Sequence, residues 1–293
     1  MINVIGHRYV NLIFSGLLFV LAIVALVVFG LTPGNDFRGG SLLEARFTGT
    51  ELNTDEVKNS LASLNFGILS TQKTDENGVL IKLRFLTEEE HQQVLGRLRT
   101  DFEKDANQVL EVRFETIGPV VSQELRIRSL YAIIIVVVGI VIYIAYSFRR
   151  ISQPVNSWKY GVVAVCALLH DVTITAGIFA LLGRYAGVEV DIPFVVALLT
   201  ILGYSVNDTI VVFDRIRENL IRRSANNFSE SVNIAVNETF SRSINTGLAT
   251  MFTLGALFFF GGESIKYFVL TLLVGIFLGT YSSIFVASPL LVE

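Results

Sequence analysis

The sequence predicts a mainly α-helical membrane protein, with six transmembrane helices and one exterior α+β domain between the first and second helices. Of its 293 residues, 52% are hydrophobic and the mean hydropathy is +0.59, which is far more apolar than a soluble domain of this length. Several windows reach the roughly 20 apolar residues that are needed to cross a bilayer. The long segment between the first two apolar windows is instead polar and mixed in charge.

The apolar windows divide the chain into three parts. Hydropathy places the six windows at about 11–31, 130–148, 161–183, 192–214, 243–261 and 267–290, and a short interfacial helix is expected at 228–236. The first window is longer than the apolar core of a secretory signal, so we expect a retained helix. The chain is interpreted as a cytoplasmic N-terminus with the first helix at 1–31, an exterior domain at 32–129 and a five-helix transmembrane domain at 130–293.

Basic residues concentrate in the short loops on one side of the predicted membrane. They are Arg8, Arg149, Arg150, Lys159, Arg215, Arg217, Arg222, Arg223 and Arg242. The short loops on the other side carry only Arg184 and Lys266. Since cytoplasmic loops are enriched in Lys and Arg, both termini are expected in the cytoplasm and the exterior domain in the periplasm of a bacterium. We therefore predict a multi-pass protein in the lipid bilayer of the bacterial cytoplasmic (inner) membrane.

The exterior segment alternates between strand-like and helix-like patterns. The strands are expected at 41–47, 67–71, 79–85 and 109–114. Two helices are expected to begin at capping boxes, one formed by Asn53 with Glu56 and one by Thr87 with Glu90. Asn77-Gly78 predicts a hairpin turn between the middle strands. The resulting order β-α-β-β-α-β is the ferredoxin-like motif.

No set of residues that carries chemistry stands out in this domain. It contains no nucleophile–base pair, phosphate-cradling loop or metal-ligand cluster, and the fold alone implies no function. The single cysteine, Cys166, lies in an apolar window and excludes an internal disulfide. The formal net charge of −3 gives no basic character for nucleic acid. We therefore expect no enzyme activity, no cofactor, no metal and no nucleic-acid partner.

Glycine-containing motifs join the exterior domain to the membrane segments on both sides. They are Asp36, Phe37, Gly39 and Gly40 before the first strand, and Gly118 and Pro119 after the last strand. Because paired glycines permit a sharp turn, these stalks are candidate hinges for a moving domain. A purely structural connection explains the same residues equally well.

Two carboxylates lie inside apolar windows, Asp171 in the third and Asp208 in the fourth. An ionised Asp at the centre of a spanning helix costs about 2.5–3.5 kcal/mol on insertion scales, and such residues usually mark an ion or proton path. The neighbours of Asp208 include Ser205 and Asn207, which allow close helix approach and hydrogen bonding. We interpret Asp208 as a proton carrier, with a fixed aspartate that holds helices together as the alternative.

Arg242 and His170 are the candidate partners of these carboxylates. Arg242 opens the fifth window, where it can pair with Asp208 in one protonation state or serve as a positive-inside anchor. His170 precedes Asp171, and this dipeptide also occurs in metal-dependent phosphohydrolases. Such enzymes need further ligands, whereas the whole chain has three His. A polar relay or a helix-packing site is favoured, and whether Asp171 itself carries protons is left open.

Six motifs in order carry a resemblance to a known family. They are DFRGG at 36–40, IGPVVSQEL at 117–125, His170-Asp171, GYSVNDTIVVFDRIREN at 203–219, ETFSRSINTGLAT at 238–250 and GTYSSIFVASPLL at 279–291. Together they resemble the SecF family, whose members are the smaller membrane partners of SecD in bacterial protein export. The resemblance covers nearly the whole chain and implies membership of the resistance-nodulation-division superfamily, which is built from two six-helix halves.

The resemblance implies a function and a set of partners. It implies one half of a proton-motive-force-driven complex that assists late steps of export through the Sec channel, with Asp208 on the proton path and Arg242 as its essential arginine. The implied partners are a SecD-like subunit, the SecYEG channel, the SecA motor and an unfolded exported polypeptide. Two alternatives stay open at this point: a non-transducing assembly subunit, and half of a proton-driven exporter of lipids or small molecules.

Overall fold

The computed structural model describes residues 2–48, 53–74, 77–103, 107–148, 157–222 and 227–293, apart from the side chains of Leu69, Ser157 and Glu263. The chain separates into two compact units: a helical unit made of Met1–Thr32 and Leu130–Glu293, and a sheet unit made of Pro33–Ser129. In chain order the elements are α1 (Arg8–Val28), α2 (Asn35–Arg38), β1 (Gly40–Phe47), α3 (Thr54–Ala62), β2 (Ile68–Thr74), β3 (Gly78–Leu83), α4 (Glu88–Phe102), β4 (Val109–Ile117), α5 (Pro119–Ser147), α6 (Ser157–Ala186), α7 (Ile192–Arg222), α8 (Phe228–Phe260), α9 (Glu263–Ser282), a π-helix (Ser283–Ala287) and α10 (Ser288–Val292).

Six helices of the described chain are long and apolar enough to cross a membrane, which confirms the predicted membrane fold. Several extend beyond their apolar windows, by about one turn at the start of α6 and by about three to four turns at the starts of α5 and α8. The prediction of a separate interfacial helix at 228–236 is wrong, because α8 runs without a break from Phe228 to Phe260. Its first turns are polar, so hydropathy placed the start too late, although Asn227 caps the true beginning by accepting the N–H of Glu230 at 2.8 Å.

The helical unit has two central helices and several peripheral ones. In their most apolar windows, α6 and the α9–α10 segment have 61% and 67% of their residues buried, against 6% in α5 and 11% in α8. The outer helix α1 packs on α6, where a Cβ on Gly177 would lie 2.6 Å from that of Ala22. The apolar sides of α5 and α8 are therefore left for lipid or another membrane chain.

The sheet unit has the predicted ferredoxin-like order. Its four strands form one antiparallel sheet in the order β2-β3-β1-β4. The helices α3 and α4 bury Val57, Leu61, Val94 and Leu98 in the same core as the inward residues of the strands. The predicted hairpin joins β2 and β3, with Asn77 at φ 58 before Gly78, while Asp75 and Glu76 lie outside the described residues.

The two helix caps of this unit have different outcomes. Thr87 and Glu90 form the predicted capping box, in which the Thr87 N–H donates to Glu90 Oε2 at 3.0 Å. Asn53 caps α3 by accepting the N–H of Asp55 at 3.1 Å. The expected reciprocal bond from Glu56 is not formed, because the Asn53 side chain closes a shorter turn on its own backbone.

The stalk motifs form a tight turn within the sheet unit. Asp36 and Phe37 lie in α2, a short helix that was not predicted, and Gly39 and Gly40 follow it at φ 74 and φ 138. A Cβ on Gly40 would lie 2.7 Å from a backbone oxygen of β3, so glycine is required there. Arg126 of α5 donates to the carbonyl of Phe37 at 2.6 Å.

The second stalk motif marks the start of α5. Gly118 ends the loop after β4, and Pro119 occupies the first turn of the helix, where its missing N–H costs no hydrogen bond. Whether either motif acts as a hinge stays a prediction.

We expect the first turn of α4 to open more readily below about pH 4.5. The Arg84 guanidinium, at 2.6 Å, and the Thr87 N–H hold the pKa of Glu90 below its ordinary value of 4.5. Because the folded-state pKa is depressed, this stabilisation is present above the ordinary value and is lost as pH falls through the folded one. Hydrogen-exchange protection of this turn in the full chain measures the loss.

The control for this prediction is Arg84→Gln, which removes the charged partner of Glu90. The variant should show a weaker acid dependence at the start of α4. An unchanged acid dependence would show that other carboxylates are responsible.

Candidate functional site

The carboxylate of Asp171 joins three helices in the middle of the helical unit. The side chain is completely buried, with 0% of its surface exposed. Its Oδ2 accepts hydrogen bonds from Ser205 Oγ of α7 at 2.6 Å and from Ser282 Oγ of α9 at 2.7 Å. Its Oδ1 lies 2.9 Å from Nδ1 of His170, the preceding residue on α6. A buried carboxylate with three such partners is well satisfied, and it ties α6, α7 and α9 together.

The carboxylate of Asp208 makes a second junction. Asp208 is half-buried on α7, and its Oδ1 accepts a hydrogen bond from Ser243 Oγ of α8 at 2.7 Å. Its Oδ2 accepts one from Ser283 Oγ, at the start of the π-helix, at 2.5 Å. Both donors are neutral hydroxyls, and both are almost fully buried. The two aspartates are thus held by adjacent residues, Asp171 by Ser282 and Asp208 by Ser283.

Small residues bring these helices close enough for the hydroxyls to reach the carboxylates. A Cβ on Gly279 of α9 would lie 3.0 Å from the Cβ and 3.3 Å from the Cα of Ser205 on α7. A Cβ on Gly247 of α8 would lie 2.7 Å from Oγ1 of Thr280. Close backbone approach at small residues is a common way to pack helices in lipid, where burial of apolar area gives little drive.

The π-helix after α9 has a visible cause. Pro289 lacks an N–H, and its ring would collide with a carbonyl one turn earlier in a regular α-helix. The chain widens over Ser283–Ala287 immediately before it, and Ser288 Oγ donates to the carbonyl of Ser283 at 2.9 Å. Such one-turn π segments occur often at functional sites. Here the segment sets the position of Ser283 next to Asp208.

Sequence reasoning missed the serines Ser243, Ser282 and Ser283. Ser282 and Ser283 are adjacent and lie seven and six residues before Pro289, and this pattern was a usable signal. Serine in a membrane helix commonly hydrogen-bonds to a neighbouring helix. Ser243 directly follows Arg242 in the sequence, and the charged residue was the stronger candidate for a partner of Asp208.

Arg242 does not pair with Asp208 in this structure. Its side chain is exposed on α8, and within the described ranges no ion pair joins it to Asp208. Ser243 makes the contact instead, because consecutive residues of an α-helix point about 100° apart. Asn207 is likewise exposed, on the side of α7 that turns away from Asp171. The predicted site residues therefore divide into a buried group and an exposed group.

Exposed polar or small residues recur about one helical turn apart on α7 and on α8, and we call these two stripes together the polar α7–α8 face. It consists of Gly203, Asn207, Arg242, Asn245 and Thr246, all of which are exposed in the helical unit. Lipid tails cannot hydrogen-bond these groups, so polar residues at this depth normally face protein or water. The face has the composition of a contact with a second membrane chain.

Charged residues gather at one end of the helical unit. Arg215 of α7 contacts Glu238 of α8 at 2.7 Å, and Asn219 donates to the same carboxylate at 2.8 Å. Arg8 at the start of α1 contacts Glu293 at 2.6 Å, so the two ends of the chain lie together. In the part of the chain that the structure describes, no group of three or more His, Cys, Asp or Glu is arranged to hold a metal ion.

Comparison with family models gives two matches. The C-terminal model of the protein export membrane proteins SecD/SecF matches residues 98–293. The SecD/SecF GG motif model matches residues 24–51, which include the glycine pair of the first stalk. The two matched segments contain both carboxylates and all four serine donors described above.

Individual relatives and solved structures agree with the family match. The chain is 43% identical to the protein translocase subunit SecF of Thermobaculum terrenum, over 100% of this chain and 94% of that one. It is 35% identical to the protein translocase subunit SecDF of Brucella abortus, over 98% of this chain but 36% of that one. The crystal structure of SecDF, a translocon-associated membrane protein from a Thermus species, matches with a TM-score of 0.83 and 34% identity, over 99% of this chain and 38% of that one.

We expect Gly275→Leu to destabilise the packing around Asp171. A Cβ at Gly275 would already lie 2.1 Å from Cδ1 of Ile201 on α7, so a leucine must push α9 away from α7. Overpacking of this kind costs about 1–3 kcal/mol or more. Thermal unfolding of the purified full chain in detergent should show a transition lowered by several degrees.

Gly255→Leu is the matched control, since a Cβ on Gly255 of α8 meets no atom within 4 Å. It should leave the unfolding transition nearly unchanged. Equal destabilisation by both variants would show that the loss comes from added bulk in general and not from the α7–α9 contact.

Proposed function

Because the chain belongs to the SecD/SecF family of protein export membrane proteins, we propose that it is the smaller half of a complex that uses the proton motive force to assist late steps of protein export. It matches nearly the full length of SecF relatives but 38% of the SecDF chain of known structure. A SecD-like subunit would supply the remaining part. In this proposal Asp208 carries the proton.

The observation that carries the proposal is the environment of Asp208. Its carboxylate lies in a membrane helix, is half-buried, and is held by the hydroxyls of Ser243 and Ser283. A hydroxyl donates to a carboxylate and equally accepts from a carboxylic acid. Both protonation states of Asp208 can therefore keep two hydrogen-bond partners, and among the described residues no cation forms an ion pair with the charged form. A site of this kind suits reversible protonation.

The polar α7–α8 face supports a membrane partner. It leaves Arg242 exposed on α8, one residue from the serine that holds Asp208. Covering this face with a SecD-like chain would remove the guanidinium from lipid and bring new polar groups near Asp208. Pairing of Arg242 with Asp208 would then belong to one state of the assembled complex, and the serine-bonded arrangement to another.

The free energy released when one proton crosses the membrane is sufficient to shift a conformational equilibrium. Each charge that crosses 100 mV yields about 2.3 kcal/mol, and a one-unit pH difference adds about 1.4 kcal/mol. One proton can thus shift a two-state equilibrium by a few hundredfold, which is at the upper end of usual allosteric couplings. This is too little to unfold a domain of about 5–15 kcal/mol. The polypeptide that the complex helps across the membrane is therefore proposed to be already unfolded.

The membrane location and the orientation of the chain are inferred from the distribution of charged residues. We place the protein in the bacterial cytoplasmic membrane, with the charged end around Arg8, Arg215 and Glu293 in the cytoplasm and the sheet unit in the periplasm. In this orientation the sheet unit is on the side where an exported chain emerges. The SecYEG channel and the SecA motor are the proposed further partners.

A non-transducing assembly subunit is the second candidate. The full burial of Asp171 and its three hydrogen-bond partners favour it, because a completely satisfied carboxylate can act as a permanent tie between helices. On this alternative neither aspartate would change its protonation state during export.

Asp208→Asn should abolish gradient-driven export while the complex still assembles, since the amide keeps the shape of the side chain but cannot ionise. The measurement is export of an unfolded reporter into inverted membrane vesicles that contain this chain and its SecD-like partner, with ATP exhausted after initiation and the proton gradient then applied or collapsed.

Asp214→Asn is the matched control on the same helix. Asp214 is exposed and pairs with Arg217 at 3.2 Å, so its neutralisation should leave gradient-driven completion intact. Full gradient-driven export in the Asp208→Asn complex would remove this residue from the proton path and favour the assembly role.

A further inference from the structure

We propose that Ser282 and Ser283 are positioning residues that couple Asp171 and Asp208, so that the protonation state of one changes the hydrogen bonding of the other. This inference rests on the proposed function, because it concerns the residue that would carry the proton. It adds two residues to the site and makes Asp171 part of one coupled unit with Asp208. The geometry of four hydrogen bonds points to it.

Each serine has two acceptors within reach but one proton to donate. Ser282 Oγ lies 2.7 Å from the carboxylate of Asp171 and 3.2 Å from the carbonyl of Gly279. Ser283 Oγ lies 2.5 Å from the carboxylate of Asp208 and 3.1 Å from the carbonyl of Thr280. An ionised carboxylate is the stronger acceptor and receives the hydrogen bond from the hydroxyl. When the acid is neutral, the carbonyl becomes a competing acceptor and the hydroxyl can turn toward it.

The two serines are consecutive in the chain, so a backbone shift that moves one of them also moves the other. The peptide bond between them lies at the change from α9 to the π-helix, where the regular hydrogen-bond ladder is already interrupted. The carbonyl of Ser283 accepts a hydrogen bond from the side chain of Ser288, whose Oγ lies 2.9 Å away, so it does not depend on a backbone N–H alone. A segment with alternative hydrogen-bond partners has a lower barrier to local rearrangement than an unbroken helix.

Few other titratable groups lie near the pair in the described chain. His170 on α6 contacts Asp171, and its ring stacks on Phe19 of α1. Tyr204 on α7 interacts electrostatically with Asp208. From α8 the nearest charged residue is Arg242, which is exposed. From α9, Tyr281 directs its hydroxyl to Ser15 of α1 at 2.9 Å, away from both carboxylates. The two adjacent serines therefore link the carboxylates through one hydrogen bond on each side and the peptide bond between them.

The test measures how strongly the two aspartates are coupled, and it needs no export. The full chain is purified with its SecD-like partner, and the infrared carbonyl band of protonated Asp208, identified by its loss in Asp208→Asn, is followed against pH. We expect Asp171→Asn to shift the protonation midpoint of Asp208 by about one pH unit, as for interacting acids. In a Ser282→Ala or Ser283→Ala background the same substitution should shift it by less than half as much.

Two controls separate this coupling from a general loss of packing. Thr271 is a buried residue of α9 whose hydroxyl bonds only to the backbone of Tyr267, so Thr271→Val should leave the full shift. Ser282→Thr keeps the hydroxyl and should also preserve it. An equal shift with and without the serine hydroxyls, or no shift in the wild-type background, would overturn the inference. Intact coupling in a complex whose export ignores Asp208→Asn would instead overturn only the proposed function.

Discussion

The absence of water from the bilayer interior is the constraint on which the helical unit depends. Asp171 and Asp208 must find their hydrogen-bond partners within the protein. Four serine hydroxyls of neighbouring helices supply two partners to each carboxylate, and His170 adds a third to Asp171. A hydroxyl on a short side chain reaches a carboxylate only when the backbones are close, so the polar network and the glycine contacts depend on each other. The packing of α6, α7, α8 and α9 follows from this requirement.

The two aspartates of this network have different environments. Asp171 is completely buried, with a neighbouring imidazole and two hydroxyls, and this arrangement favours rigidity. Asp208 is only half-buried and has two neutral donors. The difference in burial comes from position, because Asp208 lies near the polar α7–α8 face whereas Asp171 lies between central helices.

Much of the fold was predictable from local patterns, and much of the site was not. Six apolar windows were sufficient for the membrane fold, and Thr87 with Glu90 marked a helix start because the signal spans three residues. Hydropathy also identified the two carboxylates. It could not identify their partners, because whether Ser243 or Arg242 faces Asp208 depends on the rotation of α8 about its axis. That rotation is set by contacts with distant segments, which no local pattern contains.

The contact between α1 and α6 has a consequence for biosynthesis. Ala22 of the first helix packs against Gly177, which is translated about 150 residues later. At about 5–20 residues per second, the first helix waits on the order of ten seconds or more in the membrane before its partner is made. During that interval the sheet unit and α5 are synthesised. The nascent first helix must therefore be stable alone in lipid or held by the insertion machinery, and its largely apolar composition suits either situation.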